Sequence, residues 1–211
     1  MLKVLRTKCL NLEEFDQFKL DKIKDLFQYL QIPMPISMPS LQWDASKCYG
    51  GIGVQHDGSA IITTPSSTNS HHSMALGTEG VSRFSVKLGE GLSGFTASSV
   101  GFISSDDFGN SGSIIEKGWS MAFIQNNGAN FSIQFISHCH PCVAKIADCT
   151  LMALHREDSH EIVFKLISKE GHLLLECSFQ DIPTKKLYPF VFCDGSKGRR
   201  PCNDTVLLKF Q

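Results

Sequence analysis

The chain has few charged residues and almost no charge imbalance. Of its 211 residues, 19% are Asp, Glu, Lys or Arg, whereas globular domains average about 25%. The 20 basic residues offset 21 acidic ones, which leaves a net charge of -1. This balance excludes a chain-wide basic surface, and we therefore expect no nucleic-acid partner. The hydrophobic fraction of 42% is that of a folded protein, and the length predicts one main domain.

Long apolar runs are missing as well. No stretch approaches the roughly 18 residues of a membrane span, and residues 1–6 lack the apolar core of a secretory signal. We therefore expect an intracellular, cytoplasmic protein with no membrane contact. The eight cysteines lie mostly inside or beside apolar segments, which favours reduced, buried thiols over disulfides.

Recognisable catalytic motifs are also absent. The chain has no G-x-S-x-G nucleophile turn and no cysteine-protease signature, so we expect no enzyme. Residues 89–94 match G-x-G-x-x-G, but they lie between two strand patterns, which predicts a hairpin loop and not a dinucleotide site. The acids Asp44, Asp106, Asp107 and Glu116 are too scattered for a glycosidase pair or a calcium loop.

The densest group of potential metal ligands lies in residues 138–142. Cys139 and Cys142 have the C-x-x-C spacing with which two thiolates bind one zinc ion, and His138 and His140 flank Cys139. A structural zinc site needs four ligands, and strand alternation would place Cys139 on the opposite face from both histidines. We therefore expect no bound metal and no cofactor.

The start of the chain differs in pattern from the rest. Between residues 12 and 30, apolar side chains recur every three or four positions, which predicts an amphipathic helix. Pro33, Pro35 and Pro39 then exclude a helix and predict an extended linker. An isolated helix of this length is marginal in water, so its apolar stripe should pack on the following domain or mediate self-association with a second copy. The stripe consists of Phe15, Ile23, Leu26 and Phe27.

From residue 40 onward the hydrophobic period changes to two. Alternation at Arg83–Leu88, Phe131–Phe135 and Val206–Phe210 is typical of half-buried strands. Short turn signals that contain glycine separate such segments and predict hairpins. These signals are Asp57-Gly58, Asn127-Gly128 and Lys169-Glu170-Gly171.

These patterns predict a mainly β protein with a short N-terminal helical segment. We assign residues 1–39 to the amphipathic helix and Pro-rich linker, and residues 40–211 to an antiparallel two-sheet β-sandwich of about ten strands. Five large apolar residues within the strand patterns are assigned to the space between the two sheets. They are Phe84, Phe102, Trp119, Phe164 and Phe190.

Several segments, in their order along the chain, resemble the SPRY domain, a concanavalin-like β-sandwich. Residues 76–77 and 83–88 resemble its early strand, and Ser-Val-Gly-Phe at 99–102 resembles its valine–glycine strand. Gly-Trp-Ser at 118–120 resembles its tryptophan turn. Residues 149–154 with 162–164 resemble a paired hairpin, and Leu-Tyr-Pro-Phe-Val at 187–191 resembles the closing motif.

This resemblance implies a non-catalytic protein-interaction module. Such a module binds a short peptide or a protein surface through clustered loops, and it can be the substrate-recognition part of a larger protein such as a ubiquitin ligase. A carbohydrate-binding, lectin-like sandwich is the alternative. We expect the loops near residues 64–70, 104–112 and 194–200 to gather at one edge, with Phe108 as an exposed apolar anchor. The predicted partner-binding residues are Pro65, Ser67, Asp106, Asp107, Phe108, Asp194, Ser196, Lys197 and Arg199.

Overall fold

A computed structural model describes most of the region after residue 40. The described residues are 41–63, 72–108, 118–125, 131–135, 138–143, 146–195 and 205–211. The predicted helix of residues 12–30, the linker that follows it and the Asn127-Gly128 turn all lie outside these ranges. Among the described residues, no helix has the length and apolar character of a membrane span.

Fourteen strands are described, and they form two antiparallel sheets of seven strands each. In chain order they are β1 Trp43–Tyr49, β2 Ile52–Val54, β3 Ala60–Thr63, β4 His72–Gly77, β5 Arg83–Leu88, β6 Ala97–Ser104, β7 Trp119–Gln125, β8 Phe131–Phe135, β9 His138–Val143, β10 Thr150–Arg156, β11 Glu161–Ile167, β12 Leu173–Phe179, β13 Leu187–Asp194 and β14 Val206–Phe210. The first sheet has the order β1-β4-β13-β6-β7-β8-β9, and the second has the order β12-β11-β10-β5-β14-β3-β2. The predicted two-sheet sandwich is confirmed, with more strands than the ten expected.

Two of the predicted turns have the backbone geometry that their glycines permit. Gly58 connects β2 to β3 at φ +73°, and Gly171 connects β11 to β12 at φ +87°. Both angles lie in the left-handed region, which glycine reaches without a steric cost. The hairpin predictions at these two positions are confirmed.

The prediction of a hairpin at residues 89–94 is wrong. Glu90–Gly94 forms a short 3₁₀ helix, and it connects strands of different sheets. β5 pairs with β10 and β14, whereas β6 pairs with β13 and β7. The segment is therefore a crossover from one sheet to the other, which strand alternation alone cannot distinguish from a hairpin.

The main core lies between the two sheets. Phe84 on β5 and Phe102 on β6 meet there edge to face, with ring centres 4.9 Å apart. Phe164 on β11 is fully buried in the same core. Trp119 on β7 is half-buried and packs against this core. Four of the five predicted core aromatics therefore contact the inter-sheet space.

Phe190 is the exception, and its assignment to the inter-sheet core is wrong. Along β13, Leu187, Val191 and Cys193 belong to the main core, whereas Phe190 belongs to a separate apolar cluster. Successive residues of a strand point to opposite faces, so Phe190 lies on the outer face of the first sheet. β13 is apolar on both faces, and the sequence pattern gives no sign of which face is internal.

A buried histidine lies in the main core. His155 on β10 is 4% exposed, its ring lies 6.4 Å from that of Phe102, and its Nε2 has no hydrogen-bond partner among the described residues. Burial lowers the pKa of His155 below its ordinary value of 6.5, because the desolvated ring disfavours the charged form. Glu157 opposes this effect, and His160 adds to it.

We predict that His155 makes the fold less stable in acid. Because the pKa of His155 is depressed in the folded state, the neutral ring contributes its full stabilisation of the fold above pH 6.5. This stabilisation is lost as the pH falls toward and through the folded-state pKa. Denaturant unfolding at a series of pH values should show the free energy of unfolding falling below pH 6.5 in the wild type, and falling less in His155→Leu. Equal slopes in the two proteins would contradict the prediction.

Gly101 allows β6 and β7 to approach closely. A Cβ atom at this position would collide with the carbonyl oxygen of Trp119 and lie 2.6 Å from Cα of Ser120. Both obstacles are backbone atoms of the neighbouring strand, which cannot rotate away as a side chain can. The glycine in the valine–glycine motif is therefore required by strand packing.

We predict that Gly101→Ala lowers the free energy of unfolding by about 1–3 kcal/mol, the usual cost of overpacking. Gly171→Asn is the control, because nothing lies within 4 Å of a Cβ there and asparagine tolerates a left-handed backbone. Urea unfolding measures both variants. If Gly101→Ala unfolds at the wild-type urea concentration, the two strands are not held together as described.

Candidate interaction surface

The outer face of the first sheet carries an apolar cluster of its own. Its side chains come from the central strands of the sheet and point away from the main core. None is more than 5% exposed. The members, which we call the outer cluster, are Met74 and Leu76 on β4, Ile103 on β6, and Phe190 and Phe192 on β13.

Phe108 packs against the outer cluster from beyond the end of β6. A 3₁₀ turn at Ser105–Asp107 redirects the chain, and the Phe108 amide donates a hydrogen bond of 3.3 Å to the Ser105 carbonyl. The Phe108 ring centre lies 6.1 Å from that of Tyr49 on β1. Phe108 is therefore half-buried and not the exposed anchor that the sequence predicts. Tyr49, which is 49% exposed, presents an open aromatic ring beside it.

Two lysine ammonium groups lie over the ring of Tyr188. Nζ of Lys47 is 5.9 Å from the ring centre, and Nζ of Lys186 is 5.6 Å from it. Both distances are within the range of a cation–π contact, which contributes about 0.5–1 kcal/mol at exposed sites. Tyr188 is half-buried because it also packs against the outer cluster. Within the described part of the chain, no carboxylate lies at ion-pair distance from Lys47 or Lys186.

Gly80 leaves the space that the Lys186 side chain occupies. A Cβ at Gly80 would collide with Cγ of Lys186, lie 2.7 Å from its Cε and lie 3.0 Å from the carbonyl oxygen of Leu187. The Val81 amide donates a 2.9 Å hydrogen bond to the same carbonyl, so this backbone is fixed. Lys186 is therefore held against the sheet edge. The aromatic–lysine rim consists of Lys47, Tyr49, Phe108, Lys186 and Tyr188.

The two predicted aspartate acceptors lie at this same end of the sheet. Oδ2 of Asp107 is 3.3 Å from Nζ of Lys185, and the Asp107 side chain is 20% exposed. Asp106 is exposed. One of the two carboxylates is therefore neutralised by a lysine of the same chain.

Asp194 lies at the opposite end of the sheet from Asp106 and Asp107. In the pairing of β6 with β13, Ser104 is opposite Leu187 and Ala97 is opposite Asp194. At about 3.3 Å per residue, the two ends of β13 are about 23 Å apart. The prediction that these loops gather at one edge is therefore wrong for Asp106, Asp107 and Asp194.

A separate group of side chains surrounds Asp194. Its Oδ1 is 3.6 Å from Nδ1 of His72, and the His72 ring stacks on Phe192 with ring centres 5.4 Å apart. Both side chains of the pair are nearly half exposed, so solvent screens the interaction. The other predicted partner-binding residues, which are Pro65, Ser67, Ser196, Lys197 and Arg199, lie outside the described residues.

The candidate zinc ligands belong to an edge strand. The backbone of residues 138–142 lies in β9, which pairs with β8 alone. The side chains of His138, Cys139, His140 and Cys142 lie outside the description. Among the side chains that are described, no three His, Cys, Asp or Glu residues come together as a metal site would require.

Four cysteines have described side chains, and Cys48, Cys177 and Cys193 carry free thiols. Burial raises the pKa of Cys177 and of Cys193 to about 12 and that of Cys48 to about 11. At neutral pH these three groups are therefore protonated thiols and not the thiolates that act as nucleophiles. Cys149, whose pKa burial also raises, is the fourth.

Sequence reasoning missed four of the five residues of the rim. Tyr188 carries a usable signal, because it alternates with Phe190 and Phe192 and places three aromatic residues on one face of a strand. Tyr49 and Lys47 carry no such signal, since the β1 segment has no regular alternation and is irregular in its pairing. The candidate surface is visible only once the strand order is known.

Comparisons with known proteins identify the fold. No protein-family model matches the chain, and no curated protein matches it in sequence. The SPRY domain of human HERC1 aligns with a TM-score of 0.50 and 16% identity over 80% of this chain and 98% of that domain. The TRIM65 PSpry domain aligns with a TM-score of 0.52 and 9% identity over 91% of this chain and 98% of that one. A legume lectin-like domain from Entamoeba histolytica aligns with a TM-score of 0.49 and 11% identity over 79% and 87% of the two chains.

The likeness to SPRY domains agrees with the order of motifs along the chain. Its closing motif forms β13, the valine–glycine segment lies in β6, and the two strands pair at the centre of the first sheet. The described sandwich therefore has the fold of a SPRY domain.

Proposed function

We propose that this protein is a non-catalytic interaction module that binds a short peptide or a protein surface through the aromatic–lysine rim. The observation that carries the proposal is the exposed ring of Tyr49 beside the partly exposed Phe108, with Tyr188 packed on the same outer cluster. Aromatic residues of this kind are over-represented among the residues that dominate binding energy at protein interfaces.

The position of the rim supports a binding role. Its residues extend from β1, from the turn after β6 and from the start of β13, so a rigid sheet holds them in place. A site on a fixed scaffold loses little entropy when it binds a ligand. The SPRY fold supports the same class of function, since the resemblance implies an interaction module.

The cellular setting is proposed on the same terms. The free thiols of Cys48, Cys177 and Cys193 support a reducing, intracellular compartment. We propose that the domain supplies the recognition part of a larger protein such as a ubiquitin ligase.

We predict that the double variant Tyr49→Ala with Tyr188→Ala binds peptide about thirty-fold more weakly. This loss of affinity corresponds to about 2 kcal/mol of binding free energy in total for the two truncated aromatic side chains. The measurement is selection from a displayed peptide library with the wild-type chain, followed by affinity measurement on the selected peptides. Tyr49→Ala alone is included, because an exposed residue can be truncated without a risk to folding.

The control is Leu173→Ala combined with Leu174→Ala. These leucines are 56% and 42% exposed on β12, an edge strand of the other sheet, and their exposure is close to the 49% of Tyr49. The control should bind as the wild type does. Selected peptides that bind the tyrosine variants with full affinity would refute the proposal. The proposal would also be refuted if the protein binds glycans and selects no peptide.

A further inference from the structure

The aromatic–lysine rim carries positive charge that no described group of this chain neutralises. Lys47 and Lys186 lie over Tyr188 and have no carboxylate partner among the described residues. The neighbouring Lys185 differs, because it is paired with Asp107 at 3.3 Å. Two of the three lysines at this end of the sheet therefore remain available to a ligand.

We propose that the partner segment bound by this rim is acidic, with two carboxylates that contact Lys47 and Lys186 beside the Tyr188 ring. This inference rests on the proposed binding function and names the chemistry of the partner. Complementary charge across an interface directs the approach of a ligand and selects among ligands of similar shape.

The spacing of the two ammonium groups fits an extended acidic segment. Each lies less than 6 Å from the centre of the same ring, so they are separated by at most about 12 Å. Alternate residues of an extended peptide lie on one face about 7 Å apart. Two acidic side chains at such positions can contact both lysines, and the side chain between them faces the other way.

The two lysines are held in place before a ligand arrives. Lys186 lies in the space that Gly80 leaves open, and its ammonium group is drawn to the Tyr188 ring. Lys47 extends from β1 to the same ring and is only partly exposed. Side chains already confined in this way lose less rotamer freedom on binding than free surface lysines do.

The test measures binding of the full chain to two probe peptides by fluorescence anisotropy. One is a short fluorescent peptide with alternating aspartate and apolar residues, and the other has asparagine at every aspartate position. The aspartate probe should bind more tightly than the asparagine probe, and its affinity should fall as salt is raised. At about 1 M ionic strength the screening length is only about 3 Å, against about 10 Å at 0.1 M.

Substitutions at the rim identify the site. Lys47→Gln combined with Lys186→Gln should weaken binding of the aspartate probe about three- to ten-fold and leave the asparagine probe unchanged. Gly80→Ala should weaken the aspartate probe as well, because it displaces the Lys186 side chain. The matched control is Lys165→Gln combined with Lys209→Gln, which removes the same net charge from the other sheet and should have no effect.

The outcomes separate this inference from the proposed function. If both probes bind equally, and both are lost in Tyr49→Ala, the rim binds peptides but the acidic partner is wrong. If a lysine-rich probe binds more tightly than the aspartate probe, the charge assignment is reversed and the inference fails. Equal loss in the rim variant and in the charge-matched control would show non-specific attraction, which also overturns it.

Discussion

Burial of β13 on both faces is the constraint on which the arrangement of the first sheet depends. The strand pairs with β4 on one side and β6 on the other, so it occupies the interior of the sheet. One row of its side chains enters the main core, and the other row, with Phe190 and Phe192, forms the outer cluster. An antiparallel sheet commonly leaves one face in water, but this strand offers no polar face. The first sheet must therefore be covered on both sides near its centre.

This double burial explains where the amphipathic residues lie. Tyrosine and lysine combine an apolar body with a polar end, and they suit the boundary between a buried cluster and water. Tyr188 packs its ring on the outer cluster, and the ammonium groups of Lys47 and Lys186 lie over that ring. Covering apolar surface accounts for these three residues. It does not account for Tyr49, which leaves half of its own surface exposed.

Much of the fold could be predicted because the signals that specify it are local. Alternation located Phe131–Phe135 and Val206–Phe210 with the bounds that the structure gives, and turn chemistry located Gly58 and Gly171. The predictions were wrong where the position of a residue or loop depended on strand order. Phe190 could not be assigned to a face, because β13 is apolar in both rows. The segment Glu90–Gly94 could not be recognised as a crossover, because a loop within one sheet and a loop between sheets have similar composition.

The candidate site depended still more on tertiary structure, because strand register decides which loops meet. Antiparallel pairing of β6 with β13 places the residues after Ser104 beside the residues before Leu187, and it places Asp194 at the far end. Loops that the sequence suggests as one group are thereby divided between two ends of the sheet. Phe108 also changed role, since the 3₁₀ turn before it directs its ring onto the outer cluster.

The fold also determines which charged side chains near the rim have a partner of opposite charge. In the sequence, Asp106 and Asp107 form an adjacent acidic pair that can accept hydrogen bonds from a basic or amide-bearing ligand. In the structure, Asp107 is paired with Lys185, a residue 78 positions away. Lys186 follows directly in the chain, but its ammonium group lies over the Tyr188 ring. One of two adjacent lysines thus pairs with an acid, and the other lies with Lys47 over the Tyr188 ring.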